Sequence, residues 1–138
     1  MTKISLIAGL ALAAFTLPAL ADAVEDGAND FKKCKACHSI IDNDGTAIVK
    51  GGKTGPNLYG VVGRQVGSVP DFKYSESLIA VGADGTVWDE AMITAYVADP
   101  TVWLKDKTGN DAAKSAMAFK LKDGANVAAY LATMKPAQ

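Results

Sequence analysis

Five consecutive residues, Cys34-Lys35-Ala36-Cys37-His38, carry the side chains best suited to chemistry in this 138-residue chain. Two cysteines three residues apart, followed directly by a histidine, form the C-x-x-C-H pattern of covalent haem attachment. On a helical turn the two thiols share one face, with Cβ atoms about 5–6 Å apart. Both can then form thioether bonds to the vinyl groups along one porphyrin edge. His38 can bring an imidazole nitrogen to the iron as its proximal ligand.

Three other uses of these side chains compete with haem attachment. A thioredoxin-like redox pair belongs near a βαβ pattern, which this sequence does not show. A plain disulfide is the second alternative, and a share in a zinc site is the third. A structural zinc site takes four Cys or His ligands, whereas the chain contains only Cys34, Cys37 and His38. The motif therefore favours haem attachment.

The first 21 residues have the character of a secretory signal peptide. Lys3 supplies a positive charge, an apolar run follows over residues 4–17, and Ala19-Leu20-Ala21 forms an A-x-A cleavage pattern after Pro18. An uncleaved membrane anchor is the alternative, because residues 4–21 are just long enough to cross a bilayer. We expect cleavage after Ala21, a mature domain of residues 22–138, and a periplasmic location. In that oxidising compartment, thioether bonds to haem would consume both cysteines.

Charge is distributed unevenly along the chain. The formal net charge of −1 does not suggest a nucleic-acid partner. If the lysine-rich segments meet in space, the molecule has a basic face, and a generally solvated surface is the alternative. The lysines concerned lie in three segments, which hold Lys32, Lys33 and Lys35, then Lys50 and Lys53, then Lys105, Lys107, Lys114, Lys120 and Lys122.

Hydrophobic spacing predicts an all-α mature chain, a single domain wrapped around its cofactor. A capping box at Thr86-Val87-Trp88-Asp89 predicts one helix that runs to Ala98, and Asp99-Pro100 predicts the start of another. No strand is predicted, and residues 40–56 and 105–122 are predicted loops. The remaining predicted helices cover residues 22–33, residues 75–81, and a last segment from residue 123 that stops before Pro136.

The iron needs a second axial ligand, and the chain offers methionine, since it has no second histidine. Met92 and Met134 lie on the apolar stripes of predicted helices, where methionine is usually core filler. Met117 lies in a predicted loop, which can deliver a side chain to the open face of the iron. The sequence therefore favours His38 and Met117 as iron ligands. An open or water-filled sixth position is the alternative.

The occupancy of that sixth position decides the function. With both axial positions filled by protein, no site is free for dioxygen or peroxide, and only the change of oxidation state remains. We therefore expect an electron carrier and not an enzyme. If Met117 does not ligate the iron, the alternative is a haem peroxidase-like enzyme or a five-coordinate gas-binding cytochrome.

At these residues the sequence resembles the class I c-type cytochromes, and most closely the cytochrome c2 type of purple and related bacteria, which are relatives of mitochondrial cytochrome c. The resemblance implies the small cytochrome c fold, with haem c attached through Cys34 and Cys37 and iron bound by His38 and Met117. It covers nearly the whole mature chain, including the C-x-x-C-H motif, residues 54–64, residues 117–121 and Ala129-Tyr130-Leu131.

The same resemblance implies roles for five further residues around the haem. The Pro56 carbonyl would accept a hydrogen bond from the second ring nitrogen of the proximal histidine. The side chains of Arg64, Tyr74 and Trp88 would face the haem propionates. Tyr96 would lie near the methionine ligand. A plain core role is the alternative for the aromatic residues, and a solvated surface position is the alternative for Arg64.

The resemblance also implies partners. As a monomer, the protein would carry single electrons from a cytochrome bc1-type complex to a terminal oxidase, a periplasmic reductase or a photosynthetic reaction centre. The lysine-rich face would dock transiently on acidic surfaces of these membrane complexes, because complementary charge speeds association.

Overall fold

Five helices, one two-stranded hairpin and the loops that connect them make up residues 18–136, the part of the chain that the computed structural model describes. The predicted all-α class is therefore confirmed, with one short sheet added. In chain order the elements are α1 (Pro18–Phe31), β1 (Ile40–Ile41), β2 (Ala47–Val49), α2 (Glu76–Gly82), α3 (Glu90–Ala98), α4 (Pro100–Thr108) and α5 (Ala125–Thr133).

The start of α1 lies close to the predicted cleavage site. The helix begins at Pro18, ahead of the predicted mature start at Asp22. The predicted signal peptide falls outside the described residues up to position 17, so the cleavage site stays a prediction. Among residues 18–136, none of the helices combines the length and the apolar character that crossing a membrane requires.

The first and last helices cross in close contact because one residue lacks a side chain. A Cβ atom built on Gly27 would overlap the backbone carbonyl of Asn126 and the Cβ atom of Tyr130. Phe31, only 1% exposed, packs next to this crossing, with its ring centroid 5.7 Å from that of Tyr130. The crossing fixes the end of α1, and the haem-attachment motif follows directly after it.

Side-chain caps begin the three middle helices. Ser75 accepts a hydrogen bond from the Leu78 N–H at the start of α2, as the predicted helix over 75–81 requires. Asp99 accepts from the Val102 N–H at the start of α4, and Pro100 occupies the first turn. Gly109, with a φ of 63°, ends α4 in the left-handed conformation. The predicted loop from residue 105 is therefore wrong at its start, because α4 runs to Thr108.

The predicted capping box at Thr86 is also wrong. Asp89 caps α3 instead, since its carboxylate accepts from the Met92 N–H at 2.7 Å. Thr86 is held in a turn by Asp84, whose carboxylate accepts from the Thr86 N–H at 3.0 Å. A local Asx turn thus competes successfully with helix initiation at Thr86.

The prediction of no strand is wrong as well, because β1 and β2 form an antiparallel hairpin within the predicted 40–56 loop. Asp42 shapes the turn by accepting from the N–H groups of Asp44 and Thr46. Asn57 fixes the first strand from outside the hairpin, since its amide both accepts from the Ile41 N–H and donates to the Ile41 carbonyl. The hairpin is thus held by a residue distant in sequence.

Three aromatic side chains join α3 and α4 to the loop between α2 and α3. Trp88 stacks on Trp103 with ring centroids 5.2 Å apart. Tyr96 meets both indoles edge-on, at 5.2 Å from Trp88 and 5.3 Å from Trp103. Such edge-to-face contacts are favourable beyond the apolar area that they bury. Trp88 and Tyr96 of this aromatic cluster also line the site described next, whereas Trp103 supports Trp88 from behind.

Candidate haem-binding site

A cavity of about 480 Å³ lies among the helices, and its walls are mostly apolar. All nine residues that the sequence analysis placed around the cofactor line this cavity. Two are cysteines, two are the expected iron ligands, and the other five come from the segment between β2 and α2, the loop between α2 and α3, and α3 itself. They are Cys34, Cys37, His38, Pro56, Arg64, Tyr74, Trp88, Tyr96 and Met117.

The two cysteines are presented by a helical turn that follows α1. The Cys34 carbonyl accepts from the N–H groups of Cys37 and His38, at 3.1 and 2.9 Å. Burial, reinforced by the nearby charge of Asp30, raises the pKa of Cys34 to about 11. Reactive redox cysteines have a lowered pKa, so this environment fits a covalent tether and not a thioredoxin-like pair.

One ring nitrogen of His38 is hydrogen-bonded within the protein, and the other ring nitrogen is free. The Nδ1 atom lies 2.8 Å from the Pro56 carbonyl, which can only accept, so Nδ1 carries the proton and Nε2 keeps its lone pair. Burial lowers the pKa of His38, with the charge of Arg64 acting in the same direction, while the Pro56 hydrogen bond opposes them. A neutral ring with a free Nε2 is the form that binds a metal ion.

Gly55 allows this ring position. A Cβ atom at residue 55 would overlap the His38 ring, so a larger residue would displace the imidazole. The backbone N–H of Gly55 also donates to the Cys37 carbonyl at 2.8 Å. The loop around Gly55-Pro56 is therefore tied to the cysteine turn on one side and to the histidine on the other.

Arg64 carries an unsatisfied donor in the cavity wall. Its Nη1 donates to the carbonyls of Asn57 and Tyr59, at 3.0 and 3.2 Å. Its Nε is buried and finds no hydrogen-bond partner among the described residues. A buried unpaired donor on a cation is costly, and an anionic group in the cavity would satisfy it. This observation argues against the solvated surface position that sequence alone left open for Arg64.

Met117 is the only methionine of residues 18–136 that lines the cavity. Met92 and Met134 instead pack, partly buried, against the hydrophobic core. Ser115 connects Met117 to Tyr96, because the Ser115 hydroxyl accepts from the Met117 N–H at 3.0 Å and lies 3.3 Å from the Tyr96 hydroxyl. Burial raises the pKa of Tyr96, partly offset by that hydroxyl contact.

The ionised side chains that line the cavity are all cationic. They are Lys33, Arg64 and Lys73, and Lys33 is ion-paired with the Asp30 carboxylate at 3.0 Å. Two residues were not predicted from the sequence. Lys73 lies outside the three lysine segments, and Ser115 was not among the candidate site residues. For Lys73 the signal was its place directly before Tyr74, and for Ser115 its place two residues before Met117.

The cavity fits a haem on each of these counts. It offers two thiols on one turn, a neutral imidazole, a thioether, apolar walls, and a buried cation with a spare donor for a propionate. Cys34 and Cys37 would hold the group covalently, with His38 and Met117 available to the iron.

Similar proteins of known type cover nearly the whole chain. It is 56% identical over 137 residues to cytochrome c2 of Rhodobacter capsulatus, covering 96% of this chain and 98% of that protein. It is 52% identical over 140 residues to cytochrome c-550 of Paracoccus versutus, covering 97% and 90% of the two chains. No family model matches the chain.

Solved structures agree with these similarities. The structure of cytochrome c2 from Rhodobacter capsulatus superposes with a TM-score of 0.79 at 57% identity, covering 80% of this chain and 96% of that one. Ferric cytochrome c-550 from Paracoccus versutus gives a TM-score of 0.79 at 52% identity, with coverages of 82% and 98%. The fold is therefore the small cytochrome c fold.

Proposed function

Since this chain belongs to the cytochrome c2 family of class I c-type cytochromes, we propose that it carries single electrons on one haem held between His38 and Met117. It is an electron carrier with covalently bound haem c, not an enzyme. What the proposal adds is the ligand set, the partners and the compartment.

The observation that carries the ligand assignment is the position of the methionines. Met117 lines the same cavity as His38, whereas Met92 and Met134 pack against the core outside it. The imidazole Nε2 is left free by the Pro56 hydrogen bond to Nδ1. The two side chains are thus the available nitrogen and sulfur donors of the cavity, and Met/His ligation is an established arrangement that raises the reduction potential.

The chain's own residues prepare the site for electron transfer in three ways. The Pro56 carbonyl fixes the tautomer and orientation of His38. Ser115 and Tyr96 form a hydroxyl pair that supports the backbone of Met117. The apolar walls exclude water, and Arg64 offers positive charge and a free donor to a propionate. When bound, the haem iron supplies the one-electron change of oxidation state.

The positive charge around the cavity supports the proposal that redox partners dock at its opening. Lys73 and Lys33 are exposed residues that line the cavity. Lys33 is ion-paired with Asp30 at 3.0 Å, so Lys73 supplies most of the uncompensated positive charge at this edge. We place the transient redox contact at this edge, with acidic surfaces of membrane complexes as partners. By family, the donor is a cytochrome bc1-type complex and the acceptor a terminal oxidase, a periplasmic reductase or a photosynthetic reaction centre. The compartment is the periplasm, after cleavage following Ala21.

Spectroscopy of the purified oxidised protein tests the ligand set. The wild type should show the weak far-red band of sulfur-to-iron charge transfer, and Met117→Ala should abolish it. The potential of that variant should fall by on the order of 0.1 V, within the roughly 0.8 V range that axial ligands span. Met92→Ala is the matched control and should keep both band and potential.

The contrary outcomes are equally specific. If Met92→Ala removes the band while Met117→Ala keeps it, the assignment is wrong. If the wild type lacks the band, the sixth position is not filled by methionine, and a peroxidase-like or gas-binding function takes its place. Intact mass tests the haem attachment and the cleavage after Ala21, since it should match residues 22–138 plus one haem.

A further inference from the structure

The first turn of α4 contacts the Met117 segment on both sides of the methionine. On the N-terminal side, the Thr101 hydroxyl accepts from the Ser115 N–H at 3.3 Å. On the C-terminal side, the Asp99 carboxylate accepts from the Lys120 ammonium at 2.6 Å. The methionine thus lies on a short span of chain whose two ends are fastened to one helical turn.

The two carboxylate oxygens of Asp99 bind different partners. Oδ1 caps α4 by accepting from the Val102 N–H at 3.1 Å, and Oδ2 takes the Lys120 ammonium. The Lys120 hydrogen bond, with a smaller contribution from the Val102 N–H, lowers the pKa of Asp99. The capping bond holds the carboxylate in one orientation, so the lysine meets a partner that is already positioned.

A second bond lies directly beside this ion pair. The Leu121 N–H donates to the Val97 carbonyl, at the last turn of α3, at 2.7 Å. The ion pair and this backbone bond therefore act on adjacent residues, Lys120 and Leu121. Together they fix where the chain turns away after Met117.

We propose that Asp99 and Lys120 form a positioning pair that keeps Met117 in place at the cavity, a role that rests on the proposed ligation of the iron by Met117. The pair does not touch the iron ligand. It restrains the segment that carries the ligand, so its loss should make departure of Met117 easier without unfolding the protein.

The expected effect is modest because the pair is accessible to water. The Lys120 and Asp99 side chains are 58% and 32% exposed. Exposed ion pairs change an equilibrium by roughly two- to fivefold. Opening of one loop is a local event that needs much less free energy than global unfolding, so a change of this size in the open population is measurable.

The rate of imidazole binding to the oxidised holoprotein measures that opening, because imidazole reaches the iron only after Met117 has left. Lys120→Gln should bind imidazole about two- to fivefold faster than the wild type at low salt, and Lys120→Arg should stay near the wild-type rate. Asp99→Asn, which keeps an acceptor for the Val102 N–H, should match Lys120→Gln. The double variant should be no faster than either single variant, because both remove the same interaction.

Lys122→Gln is the matched control, since Lys122 is a neighbouring exposed lysine with no carboxylate partner among residues 18–136. It should leave the rate unchanged, and circular dichroism with urea unfolding should show that every variant remains folded and unfolds cooperatively. A Lys120→Gln rate equal to that of the wild type, or equal effects of Lys120→Gln and Lys122→Gln, overturns the inference while leaving the ligation intact. Absence of the far-red band in the wild type overturns the ligation, and this inference with it.

Discussion

The backbone N–H of Trp88 donates to the carbonyl of Arg64 at 2.9 Å, and this bond ties two walls of the haem cavity together. The Gly63 N–H donates back to the Trp88 carbonyl at 2.8 Å, and the Val66 N–H to the Thr86 carbonyl at 2.9 Å. Two loops that are distant in sequence thus run as a short antiparallel ladder. The backbones of Arg64 and Trp88, the residues that the family resemblance implies would face the haem propionates, are thereby held in register.

Arg64 should raise the reduction potential of the protein. Reduction removes one positive charge from the iron, so a nearby cation favours the reduced state. An interaction of about 1 kcal/mol between this partly buried charge and the iron corresponds to roughly 40 mV for one electron. Arg64→Met should therefore lower the potential by tens of millivolts in a spectroelectrochemical titration, and Arg64→Lys by clearly less.

Lys105→Met is the control for Arg64, because it removes the same charge from an exposed position on α4 that does not line the cavity. It should change the potential by only a few millivolts. Equal shifts for the Arg64→Met and Lys105→Met proteins would show that Arg64 has no special relation to the haem.

The chain should not fold without its cofactor. A mostly apolar cavity of about 480 Å³ leaves the side chains around it without packing partners when it is empty, which is costly, and a small domain has only about 5–15 kcal/mol of stability. The double variant Cys34→Ala, Cys37→Ala should therefore show largely unfolded circular dichroism, whereas the haem-loaded wild type melts cooperatively. A cooperative, native-like melt of the haem-free variant would contradict this expectation.

Lys73 should contribute to association with the membrane redox partner. It lines the cavity, so a glutamate there places a negative charge at the proposed docking edge. At low salt, Lys73→Glu should slow association by about tenfold, within the range of electrostatic steering. The difference should shrink towards 1 M salt, where the Debye length falls to about 3 Å.

Lys135→Glu provides the comparison for Lys73, because it makes the same charge change at an exposed lysine that does not line the cavity. Its association rate should stay near that of the wild type in stopped-flow measurements. Equal slowing by both substitutions would indicate a general charge effect and not a docking edge.

Asp99 should make part of the stability depend on pH. Its pKa in the folded protein lies below the usual 3.8, because it accepts from the Lys120 ammonium and from the Val102 N–H of α4. The contribution is therefore fully present above the unfolded pKa and is lost as the pH falls through the lower folded value. The difference in free energy of unfolding between the wild type and Asp99→Asn should be constant from about pH 7 to 5 and should shrink below about pH 4.

Urea titrations at pH 7, 5 and 3 measure that difference. Asp106→Asn removes another carboxylate of α4, one without an ion-pair partner in the part of the chain that the structure describes. Its pH profile should run parallel to that of the wild type. If Asp99→Asn gives the same parallel profile, the Asp99 interactions do not contribute to stability.

The helices were largely predictable because their signals are local. Ser75 and the Asp99-Pro100 pair mark helix starts within three residues of the bonds that they make. The hairpin was not predictable in the same way, because β1 has only two residues and is also held by the Asn57 side chain, sixteen residues beyond Ile41. Such short strands show no alternation of apolar and polar residues in the sequence, and the distant side chain that holds them gives no local signal.

The site was predictable where chemistry dictates residue type and spacing, as for Cys34, Cys37 and His38. The placement of Met117 at the cavity agrees with the sequence argument from its loop setting. Lys73 and Ser115 could not be found by the same route, because their importance lies in where the fold puts them. An exposed lysine and a loop serine are common residue types, and their nearness in sequence to Tyr74 and Met117 was too weak a signal to select them.

The aromatic cluster has an optical consequence. Both tryptophans of the chain belong to it, with Trp88 in the cavity wall and Trp103 stacked on Trp88 at 5.2 Å. A porphyrin absorbs strongly at the wavelengths that indole emits, so energy transfer over such a short path should leave the loaded, folded protein almost without fluorescence. Emission should return as the polypeptide expands. Tryptophan fluorescence therefore reports the distance between the indoles and the haem.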